Sequence, residues 1–378
     1  MTSLFGLDPG VLPTETRRLR QEVRDFLAAE LASGGFTPVS DSWVIGTDPA
    51  FSRKLGARGW LGMAIPRRYG GADRSPLERF VVIEELLAAG APVSAHWVAD
   101  RQAAPGLLNH GTEEQRKRYL PGIAAGECHF AIGLSEPDSG SDLASVRTKA
   151  TRTDGGWLID GTKIWTSGAH LSHAIVALVR TGPAGESRHE GLSQMIVPLP
   201  TDGVEIRPIR SLNGAHHFNE VLFTNAFVPD DLVLGTIGDG WRQVTSELAY
   251  ERSGPERMLS TALLLRLLAA REDADPRTIG RLTARLWSLR QASIAIAVQL
   301  SKGSAPEVAA AVVKDLGTLF EREVVDAARA TGVEPDLTSP DLFTRILAEA
   351  VVQAPTNTLR GGTNEILRGV IARSLGVR

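Results

Sequence analysis

The chain has 378 residues, 43% of them hydrophobic and 22% charged, with a formal net charge of −3. That length can bury more than one core, and the composition is ordinary for a soluble globular protein. The near-balanced charge excludes the basic field that holds nucleic acid, and a single cysteine, Cys128, excludes an intrachain disulfide and a cysteine-rich metal cluster. A reducing, cytoplasmic setting is the default that follows. No apolar run approaches the ~20 residues that span a bilayer. The opening MTSLFGLDPG lacks the basic end and long apolar stretch of a secretory signal.

The first block, 1–126, reads as helical. ETRRLRQEVRDFLAAELA sets Leu19, Val23, Phe26, Leu27 and Leu31 at helical spacing. Ser75 is placed as an N-cap with Pro76 at the first helical position. In GTEEQRKRYLPGIAAGE, Thr112 caps a short helix with acidic residues in its first turn, and Pro121 is expected beyond its end.

The second block, 127–235, changes period. HFAIGLSEP, GWLIDGTKIWTSG, HAIVALVRT, LSQMIVPLP, VEIRPI and NEVLFTNAFVP are short β-like runs separated by Gly, Pro, Asp and Ser. They predict a barrel or sandwich of about 100 residues. The third block, 236–378, returns to helical spacing. It runs from Trp241 to Ala270, then through RTIGRLTARLWSLRQASIAIAVQL and PEVAAAVVKDLGTLFEREVVDAARA. Long apolar stripes there predict a four-helix bundle that also packs on other subunits. The helical, β, helical order, with no G-x-G-x-x-G after a strand, argues against a dinucleotide-binding Rossmann domain.

Two stretches of the β block stand out. FAIGLSEPDSGSDL, 130–143, is a strand running into a turn, with hydroxyls at Ser135, Ser139 and Ser141 and a Gly140 that lets backbone approach a ligand. A plain polar loop is the competing reading. GTKIWTSGA, 161–169, sets Trp165 among small polar residues. A barrel tryptophan is most often core, but these neighbours point to a flat ligand held against the indole. The pair His216 and His217 in NGAHHFNE reads as a polar loop, and no metal site is expected.

These stretches, with GTEEQRKRYLPGIAAGE, NEVLFTNAFVP, GDGW and RGGTNEILRGVIAR, resemble the acyl-CoA dehydrogenase family in their order over nearly the whole chain. The resemblance implies an α+β multidomain fold: an N-terminal helical domain, a central β-barrel and a C-terminal four-helix bundle. It also implies FAD between barrel and bundle, with an acyl thioester at its face. Residue by residue, Ile132, Leu134 and Ser135 match the strand beside the isoalloxazine. Trp165 and Ser167 match contacts to the flavin ring and edge. Ser141 matches a serine near the cofactor and the thioester arm, and Thr363 and Glu365 match positions near the adenosine pyrophosphate. Arg180 and Arg188 lie on the edge that nears the CoA nucleotide in the family.

The family's reaction is α,β-dehydrogenation of an acyl-CoA: a carboxylate removes the α-proton while hydride leaves the β-carbon for flavin N5. The family's usual carboxylate position reads Gly361 here. A minority of members carries the base in a Glu-Arg run after the Gly-Trp turn, and in ELAYERSGPERM that position is Glu251, paired with Arg252 toward the substrate. A helix-surface Glu-Arg pair is the plain alternative. Gly361 keeps the backbone N–H that serves the thioester carbonyl, and losing a side chain there frees space for a bulky acyl chain.

Two segments that complete FAD across a homotetramer are missing from the pattern. The chain is therefore similar to the base-bearing subunit of the α2β2 dehydrogenases of bacterial steroid side-chain breakdown. Arg257, Arg266 and Arg277 serve the homomeric alternative. Implied partners are an acyl-CoA or acyl-carrier thioester, an electron-transfer flavoprotein-type acceptor, and a second copy or a related chain in a tetramer. Two other readings stand beside this one: a flavin-dependent oxidase or N-hydroxylase of the same fold, and a non-catalytic partner subunit.

Overall fold

The computed structural model describes residues 10–252, 254–303 and 306–377, with the side chains of 247–251 outside the description. The chain forms two compact units. One comprises Met1–Phe51, Arg74–Val93 and Ala249–Arg378, and the other Ser52–Asp73 and Ser94–Leu248. The sequence blocks 1–126, 127–235 and 236–378 follow chain order, whereas these units follow contact.

In the helical unit, helix Pro76–Ala88 starts where the sequence places it. The Ser75 hydroxyl accepts from the Glu78 amide, the Glu78 carboxylate accepts from the Ser75 amide, and Pro76 occupies the first turn. The helix is buried over Phe80–Leu87 and packs on both Thr16–Ala32 and Pro276–Ser301. Each fully buried Phe, Leu or Ile there contributes about 1.5–3 kcal/mol. Its two buried acids are paired: Arg20 and Arg290 reach Glu84 at 2.7 and 2.9 Å, and Arg24 reaches Glu85 at 2.8 Å. The later helices Ala262–Ala269, Pro276–Ser301, Glu307–Arg329 and Leu342–Gln353 pack on one another around Leu264, Ile296, Phe320, Val324 and Leu347. The apolar run from Trp241 to Ala270 is three helices, Gly240–Arg252, Glu256–Leu259 and Ala262–Ala269, because Gly254-Pro255 interrupts it.

The other unit carries eight strands: β1 (Phe130–Gly133), β2 (Lys149–Thr153), β3 (Gly156–Lys163), β4 (Ala174–Arg180), β5 (Leu192–Pro198), β6 (Val204–Arg210), β7 (His216–Pro229) and β8 (Val233–Leu234). They form one sheet in the order β6-β7-β3-β2-β4-β5-β8, with β1 added on β4. The continuous apolar run of β4 is buried on both faces, whereas β6 is an edge strand with polar residues outward. β2 escapes the sequence reading because KATRT buries only Ala150. Helix Glu113–Ala125 opens with the expected Thr112 cap, but Pro121 lies inside it. Pro121 is exposed while Leu120, Ile123 and Ala124 are buried, so packing of the inner face offsets the lost backbone bond.

One detail of the sheet governs the site. β1 and β2 share a single edge of β4. β1 pairs in parallel from Phe130↔Ala174 to Gly133↔Ala177, and β2 joins only at Lys149↔Arg180. The loop 134–148 issues from this fork, outside the ladder.

Candidate functional site

In the sheet unit, the two stretches singled out by sequence come together. β1 ends at Gly133, and Leu134 and Ser135 follow half-buried. The Ile164 amide donates to the Ser135 carbonyl at 2.9 Å, which ties the end of β3 to the start of the loop. Trp165 comes next. It has φ +58°, a left-handed conformation rare for a bulky residue, and it is 55% exposed with its ring edge-on to Phe218 at 5.7 Å. Its neighbours are fixed: Thr166 and Asn219 exchange backbone bonds at 3.0 and 3.1 Å, and the Gly168 amide donates to the His217 carbonyl at 2.9 Å. A strained aromatic held out of the core by tied flanks is typical of a ligand-contact position. Ser167 is half-buried beside it, and a Cβ on Gly168 would meet nothing within 4 Å, so the backbone is open to approach. Thr166 Oγ1 is buried with no hydrogen-bond partner among the described residues. Ile132 is half-buried in β1, and Ser141 is exposed near the loop tip.

Beneath these residues lies a charged pair that the sequence reading passed over. Lys163, the last residue of β3, is 0% exposed, and its Nζ donates to Glu136 Oε1 at 2.7 Å and to the Leu134 carbonyl at 3.2 Å. Glu136 accepts in addition from the amides of Arg147 at 2.6 Å and Thr148 at 2.9 Å. Burial pushes the Lys163 ammonium down to about 8 against the pull of Glu136. Burial alone would raise the Glu136 carboxyl, yet the Lys163 charge and the three donors hold it below its ordinary value. In the sequence the pair is carried by the Glu of S-E-P and the Lys of T-K-I-W, next to Ser135 and Ile164.

Other sequence candidates in this unit are committed elsewhere. Arg180 donates to the carbonyls of Ala144 and Glu190 at 3.0 Å and Val146 at 3.3 Å, and Arg188 is paired with Asp142. His216 bonds Asn219 at 2.8 Å and stacks on His170 at 3.9 Å. Cys128 is half-buried, and burial pushes its thiol up to about 11.

In the helical unit the site is a turn. Gly361 and Gly362 have φ +70° and +87°, which glycine adopts freely. Thr363 then caps helix Asn364–Ser374, its hydroxyl accepting from the Ile366 amide at 3.3 Å. Glu365 sits exposed in the first turn, where its own amide and the Thr363 hydroxyl hold its carboxyl low. Three cations surround the turn. Arg252 Nε donates to the Gly361 carbonyl at 3.1 Å. Lys314, 0% exposed, donates to the Gly362 carbonyl at 2.8 Å, the Asn364 side chain at 2.6 Å and the Thr358 carbonyl at 3.3 Å. Arg257, 1% exposed, lies where a side chain on Gly361 would start, since a Cβ there would be 2.8 Å from Nη2. The space expected beside Gly361 for a bulky acyl chain is thus lined by a guanidinium in this chain.

Arg257 and Arg360 both lie over the Trp43 ring, at 5.0 and 4.5 Å, and Arg360 also holds Asp41 at 2.5 Å. Arg266 donates to the Ala88 carbonyl at 2.9 Å, and Arg277 is exposed. Glu251 falls in helix Gly240–Arg252, and its side chain lies outside the described residues. Its chain neighbour Arg252 is the residue that reaches Gly361.

Residues 13–127 match the family Acyl-CoA dehydrogenase, N-terminal domain, and residues 131–226 match Acyl-CoA dehydrogenase, middle domain. Acyl-CoA dehydrogenase IpdE1 of Mycobacterium tuberculosis is 35% identical over 96% of this chain and 98% of its own length. Acyl-CoA dehydrogenase FadE34 of the same organism is 37% identical over 85% of this chain and 45% of its own. Among solved structures, the Tcur3481-Tcur3483 steroid ACAD superposes with a TM-score of 0.83 at 31% identity, covering 97% of each chain. A chain of the ChsE4-ChsE5 complex from Mycobacterium tuberculosis gives 0.80 at 27% identity, covering 97% of this chain and 99% of that one. On these similarities over nearly its full length, the chain belongs to the acyl-CoA dehydrogenase family of oxidoreductases.

Proposed function

We propose that the protein carries out FAD-dependent α,β-dehydrogenation of an acyl-CoA thioester, as one subunit of an assembly with a related chain. The strained, exposed Trp165, tied on both sides and flanked by Ser167 and the open backbone of Gly168, is the observation that carries the cofactor. The residues fit FAD in two further respects. Thr166 Oγ1 is a buried oxygen left for a partner, and the N-terminus of helix Asn364–Ser374 supplies the positive end that suits a pyrophosphate. Ile132, Leu134, Ser135, Trp165 and Ser167 are proposed as contacts to the flavin, Ser141 as a contact near the thioester arm, and Thr363 and Glu365 as contacts to the adenosine pyrophosphate. When bound, FAD supplies the two-electron acceptor at N5.

The chain's own residues do the rest. Glu251 takes the α-proton, and Arg252 holds the Gly361 carbonyl so that the turn keeps one conformation. The Gly361 N–H then donates to the thioester oxygen as charge develops on it. The resulting loss of a proton and a hydride leaves an α,β double bond. Ser141 and Arg252 border the thioester arm. The division into domains at 1–126, 127–235 and 236–378 is part of this proposal.

A steroid-bearing acyl group and a related partner subunit are proposed because the relatives of known structure are named as a steroid ACAD and a two-protein complex. An electron-transfer flavoprotein-type acceptor and a cytoplasmic location complete the reading. No helix among the described residues is long and apolar enough to cross a membrane.

The test is co-expression with a candidate related dehydrogenase chain, followed by flavin content and turnover of Glu251→Gln. The variant should keep its yellow colour and lose about 10⁴-fold in kcat. Full activity in that variant removes Glu251 as the base, and a colourless complex removes the cofactor reading.

A further inference from the structure

We infer that Glu136 and Lys163 are positioning residues that lock the Ser135 and Trp165 stretches into a single ligand-binding geometry. The inference rests on the flavin reading and goes beyond it, to two residues that touch no ligand.

The fork in the sheet sets the problem. The loop 134–148 carries Ser135 and Ser141; it leaves the ladder between the end of β1 and the start of β2, and Arg180 of β4 holds its far end through the Ala144, Val146 and Thr148 carbonyls. Trp165 and Ser167 lie just past the end of β3, also outside the ladder. The Trp165 stretch is already tied to β7 through Thr166–Asn219 and Gly168–His217, whereas the Ser135 end of the loop has to be joined to it. Glu136 closes the loop on itself, since its carboxylate takes the Arg147 and Thr148 amides eleven and twelve residues later. Lys163 then joins the closed loop to β3 through Glu136 and the Leu134 carbonyl, and the Ile164 amide adds the Ser135 carbonyl. Three consecutive residues of one stretch are thereby bonded to two consecutive residues of the other.

The lysine stem needs room to reach this point. A Cβ on Gly133 would come within 3.2 Å of Lys163 Cγ and 2.7 Å of Ile175 Cδ1, so the glycine at the end of β1 lets the stem pass beneath the strand. A buried ion pair of this kind contributes little net stability compared with apolar packing, because both charges lose water. Its directional bonds specify where the groups sit. That is the property a two-sided ligand cradle requires.

The test uses the assembly that retains flavin, with wild type measured first. Lys163→Met alone is destabilised by the stranded Glu136 charge, so a change in flavin affinity there could not be separated from lost stability. Two variants avoid that outcome: Glu136→Gln/Lys163→Met, which removes both charges, and Glu136→Asp, which keeps the charge but shortens its reach. In whichever is soluble, the flavin dissociation constant should rise on the order of tenfold, as happens when an outer-shell partner is lost at a metal site. The flavin absorption band and its quenching of Trp165 fluorescence should change with it, while the melting temperature stays near that of wild type. Unchanged affinity and spectrum in a folded variant would overturn the inference and leave the flavin reading intact. Absence of flavin from wild type, alone and with a partner, overturns both.

Discussion

Each of the two units buries charge near its own candidate residues, and they do so in opposite ways. In the sheet unit, Glu136 and Lys163 face each other at 2.7 Å, with the glutamate held low and the lysine at about 8, so both stay charged at neutral pH. In the helical unit, Glu321 is fully buried and accepts from the Ser260 amide at 2.8 Å. Burial raises it to about 7, with the charge of Arg360 opposing and that of Asp41 reinforcing the rise. The first centre is a fixed strut. The second is a titratable group beneath the Gly361 turn, connected to it through Ser260 and Arg360. The difference shows that a buried carboxylate next to a site becomes rigid or responsive according to whether a cation bonds it directly.

The comparison can be broken at three points, the largest effect first. Lys163→Met should cost about 3–5 kcal/mol in denaturant unfolding, because it strands a buried carboxylate. A loss under 1 kcal/mol would mean that the pair is not the strut described.

Glu321→Gln comes second, and its sign depends on pH. An acid raised in the folded state binds its proton more tightly there than in the unfolded chain. Native stability therefore falls as pH rises from about 4.5 to about 7 and stays reduced above. Glutamine has no such slope. The variant should match wild type near pH 4 and exceed it at pH 8 by on the order of 3 kcal/mol, read as a melting-temperature difference. A difference that does not change between those pH values would show that Glu321 does not titrate in this range.

Third, Gly361→Ala should cost about 1–2 kcal/mol for the left-handed backbone, with Arg257 displaced from its place over Trp43. An alanine variant as stable as wild type would show that the turn relaxes to another conformation.

Much of this architecture is legible in the sequence because it is written locally. The capping boxes at Ser75 and Thr112 depend on residues three apart, and the strands depend on short β-branched runs between turn residues. Trp165 reads as a ligand position from its small polar neighbours, and its left-handed backbone and 55% exposure are features only the folded chain shows. Three features were not legible, each for a physical reason. Pro121 stays within its helix because the opposite face is packed, which a local breaker rule cannot register. The tie between Lys163 and Glu136 joins residues 27 apart across a fork that exists only once the sheet has formed. The arginine beside Gly361 comes from residue 257, over a hundred positions earlier, so the glycine reads as empty space until the chain is folded.

The order of the segments bears on synthesis as well. The sheet unit is complete in the chain once residue 248 has been made, whereas Met1–Phe51 and Arg74–Val93 belong to a unit whose remaining part is Ala249–Arg378. On the ribosome, the strands and the cradle around Trp165 have their partners early. The apolar face of helix Pro76–Ala88 waits for Pro276–Ser301. For that interval the face of this helix that packs on Pro276–Ser301 stays uncovered, which makes it the segment most exposed to misassembly during synthesis.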